Sequence, residues 1–539
     1  MAGDIGSANG RSAAIATQPG APALAQAIVL ISFLAIVAVQ WRVYGSIPGP
    51  DAIAYLTTGV NLASTGSFTN LAGRPEVWFP PFYPLLIGVA SAGGTIDPAT
   101  AGRLISITMA VLGLILTGHI ARTIGARRYE PALAMLLLAA NPIYQRAAMV
   151  ALSESTATTL ALAAFALWLR IPDRSTSARW LLIGALVALS YLSRPEGLLL
   201  LPLWALLDAF RSGLTPQLAR RYALAAAAAL AIVLPYLVYL HLQTGEWTLT
   251  GKTAVNLASG RATYLGLPRD YIDPATLEMG FWKYDVTLAG EARRFLWNAA
   301  RILAEYFRNL GALLAVPVVI GALALARARQ WRILLGVASF FVYLLVLAVF
   351  EVKNRYLHLT LPCLSIVAAH GLTWMFESLR RAPRSSRASR LPAAVATALL
   401  AGVAVVSLAA VRENLADRSG YALLRDAGVR LGGLGVPNGV VYERWGDVAY
   451  YAGYRTRPLT PNDLQTILRF IDTREAPGTP VYVVVSTMES YTYDPTVQAL
   501  IESPESAPRL RQLFSLSSAD GKVVVYELRG RVEPSAGSR

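Results

Sequence analysis

Apolar residues run through most of this chain in long stretches, and short polar turns separate them. About eleven such runs approach the roughly 20 residues that a helix needs to cross a bilayer. They lie near 24–44, 103–122, 131–149, 153–169, 179–193, 197–210, 220–241, 309–326, 332–350, 356–376 and 391–411. Several are short, and the pair at 179–193 and 197–210 is split by "SRPEG" (193–197), so spans and re-entrant hairpins are both open for the short pairs. From residue 412 the pattern changes. "GVVYER" (439–444), "VYVVVST" (481–487) and "KVVVYEL" (522–528) are short β-type runs, while "NDLQTILRFID" (462–472) has helical spacing. The pattern predicts a mainly α, polytopic transmembrane bundle over 24–411 and a small α/β domain over 412–539. The first 23 residues, rich in Ala, Gly and Ser, read as a disordered cytoplasmic tail. The run after them reads as a retained anchor rather than a cleaved signal.

Composition agrees. Of the 539 residues, 55% are hydrophobic and 15% charged, well below the quarter or so of charged residues in soluble domains. The net charge of +15 is unevenly placed: residues 412–539 hold 15 basic and 15 acidic side chains, so all of the excess lies between the apolar runs. Basic connections of that kind face the anionic inner leaflet. The partner they imply is membrane lipid, not nucleic acid. Arg122, Arg127 and Arg128 fill one connection, Arg170, Arg174 and Arg179 the next but one, then Arg211, Arg220 and Arg221, then Arg327, Arg329 and Arg332, then "RRAPRSSRASR" (380–390). These alternate connections place the N-terminus in the cytoplasm, with Arg42 a mild exception. Residues 45–102, the turn near 150, "SRPEG", residues 242–308, "EVKNRY" (351–356) and the C-terminal domain then lie outside. A single cysteine, Cys363, excludes an intrachain disulfide.

The outer connections carry the unusual chemistry. The first holds Asp51, Tyr55, Glu76 and the proline-aromatic cluster around Tyr83; the second holds Glu154; "SRPEG" holds Arg194 and Glu196. The loop of about 60 residues at 242–308 includes Trp247, Lys252, Tyr264, Trp282 and Lys283, and the last connection has Glu351, Lys353 and Arg355. Each has a plain reading. Asp51 could cap the helix "DAIAYLTTGVNLAST", the aromatics could form an interfacial belt, "SRPEG" could be only a turn, and Arg355 could brace its turn by pairing with Glu351. The four histidines (119, 241, 358 and 370) are scattered, and no His/Cys cluster has metal-ligand spacing. Against the plain readings stands the recurrence of acids and arginines on one face of the bundle, which is how an active site at a membrane interface is built.

At these residues the chain resembles the polytopic glycosyltransferases of the GT-C fold, in the family-39-like group that includes protein O-mannosyltransferases and the lipid A aminoarabinose transferase. The resemblance covers most of residues 24–470. It is carried by Asp51, Tyr55 and Ala63; by Pro80, Pro81, Tyr83, Pro84 and Leu85; by Arg103, Leu104 and Ser106; by Ser153 and Glu154; by Arg194 to Gly197; and by Arg355, Tyr356, Leu361 and Pro362. Where the mannosyltransferases carry an Asp-Glu pair, this chain has Asp51-Ala52, which argues against mannose and a protein acceptor.

The resemblance implies a sugar donor on a polyprenyl phosphate, a lipid, glycan or protein acceptor, and an inverting displacement with Asp51 as general base. Arg194 and Arg355, with Lys353 behind them, would meet the donor phosphate. Tyr55, Glu76, Tyr83, Glu154 and Glu196 would meet sugar or acceptor. No glycine-rich phosphate loop is present, no metal ligands are assigned, and a divalent cation is allowed but not required. A transporter or flippase of lipid-linked sugars is the alternative. It would be expected to show internal pseudo-symmetry or charges near helix midpoints, and neither is clear in this sequence. The orientation is directly testable: a periplasm-dependent reporter fused after residue 420 should be active and one fused near residue 385 silent, the reverse pattern overturning it.

Overall fold

A computed structural model describes residues 21–44, 49–124, 127–170, 176–266, 270–281, 287–309, 311–381, 419–444, 446–459, 462–487, 507–518 and 521–530, Leu500, and scattered positions between 398 and 412. Prolines set where many of its helices begin. Pro50, Pro98, Pro142 and Pro216 each stand at a helix start, where the missing N–H is no loss and the fixed φ already suits the helix. Side-chain caps add to this: Asp97 accepts from the Thr100 N–H at 3.0 Å and Thr215 from the Leu218 N–H at 3.1 Å.

Ten of the eleven apolar runs fall on helices; the run at 391–411 lies largely outside the described residues. Among the described residues, five helices are long and apolar enough to cross a membrane: Ala21–Arg42, Pro98–Thr123, Pro216–Thr244, Trp331–Val349 and Asn354–Ser378. The chain is a multi-pass membrane protein. The run at 131–149 is not one span. It breaks at Asn141-Pro142, where the Asn141 side chain accepts from the Ile143 and Tyr144 N–H groups and starts a new helix. That short helix, Pro142–Met149, meets Glu154–Leu169 at 113°, and the sharp corner leaves Ser153 and Glu154 at the head of the second helix. Phe82–Ser91, Glu130–Ala139, Ser177–Tyr191 and Leu314–Arg327 are apolar but shorter than a full crossing.

Helices approach closely where a side chain is missing. Gly59, on Pro50–Thr65, faces Gly88 on Phe82–Ser91; a Cβ at Gly59 would lie 2.5 Å from the Pro84 carbonyl oxygen, and one at Gly88 would lie 2.3 Å from the Gly59 oxygen. Small residues let backbones meet in membrane proteins, and this contact fixes the helix that carries Asp51. Gly371 makes the same kind of approach to Pro317 in the neighbouring pair.

The long connection at 242–308 is mostly regular structure. It forms Thr253–Leu265, the hairpin β1 (Asp270–Ile272) with β2 (Met279–Phe281), and Leu288–Asn309. Arg294 donates to the Phe350 carbonyl at 3.1 Å and Asn298 to that of Ala348 at 2.9 Å, while Asn462 of the C-terminal domain exchanges two hydrogen bonds with the Ile272 backbone. The expected loop is therefore a tethered layer.

The C-terminal region forms a five-stranded sheet in the order β4 (Arg455–Pro458), β3 (Val440–Glu443), β5 (Val481–Ser486), β7 (Gly521–Leu528), β6 (Leu510–Ser518). β3 runs parallel to β4 and β5, and β7 antiparallel to β5 and β6. Both faces are covered. Leu464–Arg474 packs on one, and Ser419–Gly432 with Asp447–Ala452 packs on the other, so the central strands read as unbroken apolar runs. β4 and β6 escaped the sequence pattern because both sit at edges with exposed positions. Arg457 donates to the Ala72 carbonyl at 3.2 Å, which joins this domain to the layer beside Asp51.

Gly59→Val should lower stability by about 1–3 kcal/mol, the usual effect of overpacking a tight contact, seen as a lower melting temperature of the purified protein. An unchanged melt would show that the two helices separate freely.

Candidate active site

Four separate elements bring charge to one end of the bundle. Gly49, not Asp51, is the N-cap of Pro50–Thr65; Asp51 sits in the first turn with its carboxylate on the Arg355 guanidinium. The cap reading of Asp51 is thereby replaced by an ion pair. Arg194 precedes Pro195 and takes the extended backbone (φ −153°, ψ 130°) that a following proline favours, which ends Ser177–Tyr191 and turns the side chain across the bundle. Arg355 rides on the 3-10 turn Asn354–Thr360. Glu154 heads its helix, where the positive end of the dipole suits a carboxylate.

These groups form one alternating chain of charge. Glu196 Oε1 lies 3.0 Å from Arg194 Nη2, Glu154 Oε1 2.7 Å from Arg194 Nη1 and 3.9 Å from Arg355 Nε, and Arg355 reaches on to Asp51. Both guanidiniums lie over the Tyr356 ring, at 5.1 and 5.3 Å. Glu154 is only 3% exposed, whereas Asp51 keeps 31% of its side chain open. The chain borders a narrow crevice lined by Glu154, Arg194, Glu196, Tyr343, Arg355 and His358, among others. Four buried atoms on its walls lack a hydrogen-bond partner: Glu154 Oε2, Glu196 Oε2, Arg355 Nε and His358 Nε2. Leaving such atoms unmatched is costly, so a crevice holding four of them is built to receive a polar ligand or water.

Tyr55 joins this set through its hydroxyl, 2.9 Å from Ser153 Oγ beside Glu154. Tyr83 lies behind it, with its ring 5.2 Å from that of Tyr55 and its hydroxyl donating to the Gly102 carbonyl at 2.8 Å. Glu76 is placed differently. Its Oε1 accepts from the Trp78 and Phe79 N–H groups at 2.7 and 3.1 Å, so it shapes a buried turn. Lys353 points outward and pairs with Glu351 at 3.1 Å, so the alternative of an Arg355–Glu351 brace gives way to a pair between Arg355 and Asp51.

Three lining or neighbouring residues received no site role from the sequence, although Lys252 stood out in its loop. Lys252 places its ammonium 3.6 Å above the Phe79 ring. His358 stacks on Tyr144 and shares a 2.8 Å hydrogen bond with Thr158. Tyr343 donates to the Tyr356 carbonyl. Only the "RY" beside His358 pointed that way, and nothing in the sequence tied residue 252 to residue 79. Enclosure by itself would raise the Asp51 carboxyl, but Arg355, Lys252 and Lys353 outweigh it and hold it well below the usual carboxylate range. Burial pushes the Lys252 ammonium down to about 8 despite the nearby Asp51 charge, and burial pushes Glu76 up despite its two backbone donors. Among the described residues no group of three His, Cys, Asp or Glu could hold a metal ion.

Solved structures share this arrangement of helices. ArnT from Cupriavidus metallidurans bound to undecaprenyl phosphate aligns over 94% of this chain and 99% of its own, at 17% identity and a TM-score of 0.55. The oligosaccharyltransferase of Archaeoglobus fulgidus in its apo form aligns over 96% and 76%, at 12% identity and a TM-score of 0.60. This is the GT-C fold. The same archaeal enzyme, AglB, in complex with an inhibitory peptide and a dolichol-phosphate, aligns over 95% of this chain and 75% of its own (12% identity, TM-score 0.58), and a further structure of it holds zinc and sulfate. No protein-family model matches the sequence, and no curated protein matches it in sequence. The resemblance seen in the sequence is thus borne out as a GT-C fold.

Within this GT-C site Glu154 serves two guanidiniums at once. Glu154→Ala should therefore destabilise the protein by about 3–5 kcal/mol, as when one partner of a buried pair is removed. Glu196→Ala, at a position 20% exposed, should cost no more than about 1 kcal/mol. Denaturant unfolding of the two variants checks the ordering, and equal losses would contradict it.

Proposed function

We propose that this protein is a glycosyltransferase of the cytoplasmic membrane that moves a hexose or pentose from a polyprenyl-phosphate donor to an acceptor hydroxyl on a lipid, glycan or protein. The N-terminus would be cytoplasmic, with the site and the C-terminal domain on the outer face. The observation that carries this reading is the charge chain Asp51–Arg355–Glu154–Arg194–Glu196 along a crevice with unmatched polar atoms. It stands on a fold whose solved examples include one bound to undecaprenyl phosphate and one in complex with a dolichol-phosphate.

The chemistry follows from the charges. The acceptor oxygen attacks the anomeric carbon, the bond from that carbon to the phosphate oxygen breaks on the opposite face, and the configuration inverts. The acceptor proton goes to Asp51, and the bonding pair leaves with the phosphate. Asp51 is a poor base while Arg355 holds it. As the leaving phosphate gains charge it competes for that guanidinium, whose planar fork suits two phosphate oxygens; each step of that transfer makes Asp51 more basic. Glu154 and Glu196 keep Arg194 in place and offer their free oxygens to sugar hydroxyls. Tyr55 backs Glu154 through Ser153 and Tyr83 packs behind Tyr55, while Glu76 shapes the turn beneath Lys252 and Lys353 adds positive charge at the rim. No step is assigned to a divalent cation. The alternative, a flippase of lipid-linked sugars, would need charges distributed along a path through the bundle, whereas this chain of charge is confined to one end.

Asp51→Asn keeps an oxygen for Arg355 and should melt within a few degrees of the native protein. Transfer from a polyprenyl-phosphate sugar should fall about 10²- to 10⁴-fold, the usual loss for a general base. Turnover near the native rate would leave Asp51 as a counterion of Arg355 and nothing more.

A further inference from the structure

The cations around the site differ in how far their charge is already matched. Arg194 has Glu154 and Glu196, Arg355 has Asp51, and Lys353 has Glu351. Lys252 has no carboxylate within ion-pair distance among the described residues. Its ammonium rests on the face of Phe79 instead, at 3.6 Å, in the electrostatic range of Asp51, Arg355, Glu76 and Lys353.

The position is built rather than incidental. The Gly251 N–H donates to the Val77 carbonyl at 3.1 Å, and a Cβ at Gly251 would stand 2.6 Å from that oxygen, so the backbone approach needs glycine. The Leu249 carbonyl accepts from the Tyr191 hydroxyl at 2.7 Å, and the Lys252 N–H meets Thr250 Oγ1 at 3.2 Å. Tyr191 closes the helix that leads directly into Arg194. From below, the buried Glu76 turn orients Phe79. The sequence thus holds a lysine over an aromatic ring, stitched to two elements of the site, and leaves it without a carboxylate.

We propose that Lys252 binds the phosphate of the lipid-linked donor and, with Arg355, forms a two-cation clamp on the leaving group. This rests on the donor chemistry proposed above. A sugar phosphodiester carries one negative charge, and the monoester released approaches two, its second pKa being about 6. Lys252 is free to meet the first charge while Arg355 still holds Asp51. The second charge draws Arg355 across, and Asp51 is released to take the proton. Phe79 keeps the ammonium desolvated, which strengthens its hold on a phosphate.

The test uses the full-length purified protein and two probes, undecaprenyl phosphate and inorganic phosphate, titrated at several pH values. Lys252→Met should weaken undecaprenyl-phosphate binding roughly 10- to 100-fold, with the melting temperature little changed, and Lys252→Arg should restore most of it. Affinity of the native protein should fall as pH rises above about 8, where burial has placed the ammonium's titration, and the Arg variant should lose that fall. Inorganic phosphate showing the same Lys252 dependence identifies the phosphate itself as the group bound; dependence seen with neither probe overturns the proposal. Native-like binding by Lys252→Met also overturns it while leaving the donor chemistry intact. A native protein that binds no undecaprenyl phosphate removes both together. Equal loss in the Met and Arg variants would mark a packing role and likewise overturn it.

Discussion

Glu154 is the group on which the site depends. A carboxylate almost wholly removed from water is stable only with cations beside it, and here two guanidiniums, from distant parts of the chain, converge on the same oxygen. Each guanidinium then uses a second acid, Glu196 or Asp51. Charge balance at one buried atom therefore fixes the mutual position of the Glu154 corner, the "SRPEG" turn, the turn after residue 350 and the helix Pro50–Thr65. Buried ion pairs of this kind are weak evidence of stability; what this network does is hold four separate segments in one arrangement.

Backbone features hold these four elements at the right distance. Prolines end or start helices at positions 142 and 195, and the chain turns there to bring Glu154 and Arg194 together. The contact of Gly59 with Gly88 sets the height of Asp51. The layer formed by residues 242–308 is tied down at Gly251, Arg294 and Ile272, so that Lys252 belongs to the framework rather than to a loose loop. The C-terminal sheet meets the same end of the bundle through Arg457 and Ala72.

The arginines that alternate along the sequence divide the molecule in the other direction. Glu154 begins its helix at the site, and Arg170 caps the far end of the same helix, where Arg179 donates to the Arg170 carbonyl and Arg332 to that of Trp168. The charge chain at Glu154 and the arginines around Arg170 thus lie at opposite ends of this helix.

By itself the sequence determined the membrane bundle, most helix positions, the central strands β3, β5 and β7, and the short list of acids and arginines, because burial in lipid and in a sheet imposes local hydropathy patterns that can be read residue by residue. It also pointed to Asp51 and Arg355 singly. Only the tertiary structure decided that they pair with each other: pairing across 304 positions leaves no local trace, whereas Glu351, four residues from Arg355, looked the nearer partner and went instead to Lys353. The same reason hid Lys252. Its significance comes from Phe79 below it and from the absence of a carboxylate beside it, and both are properties of neighbours brought close in space by folding, which no linear pattern records.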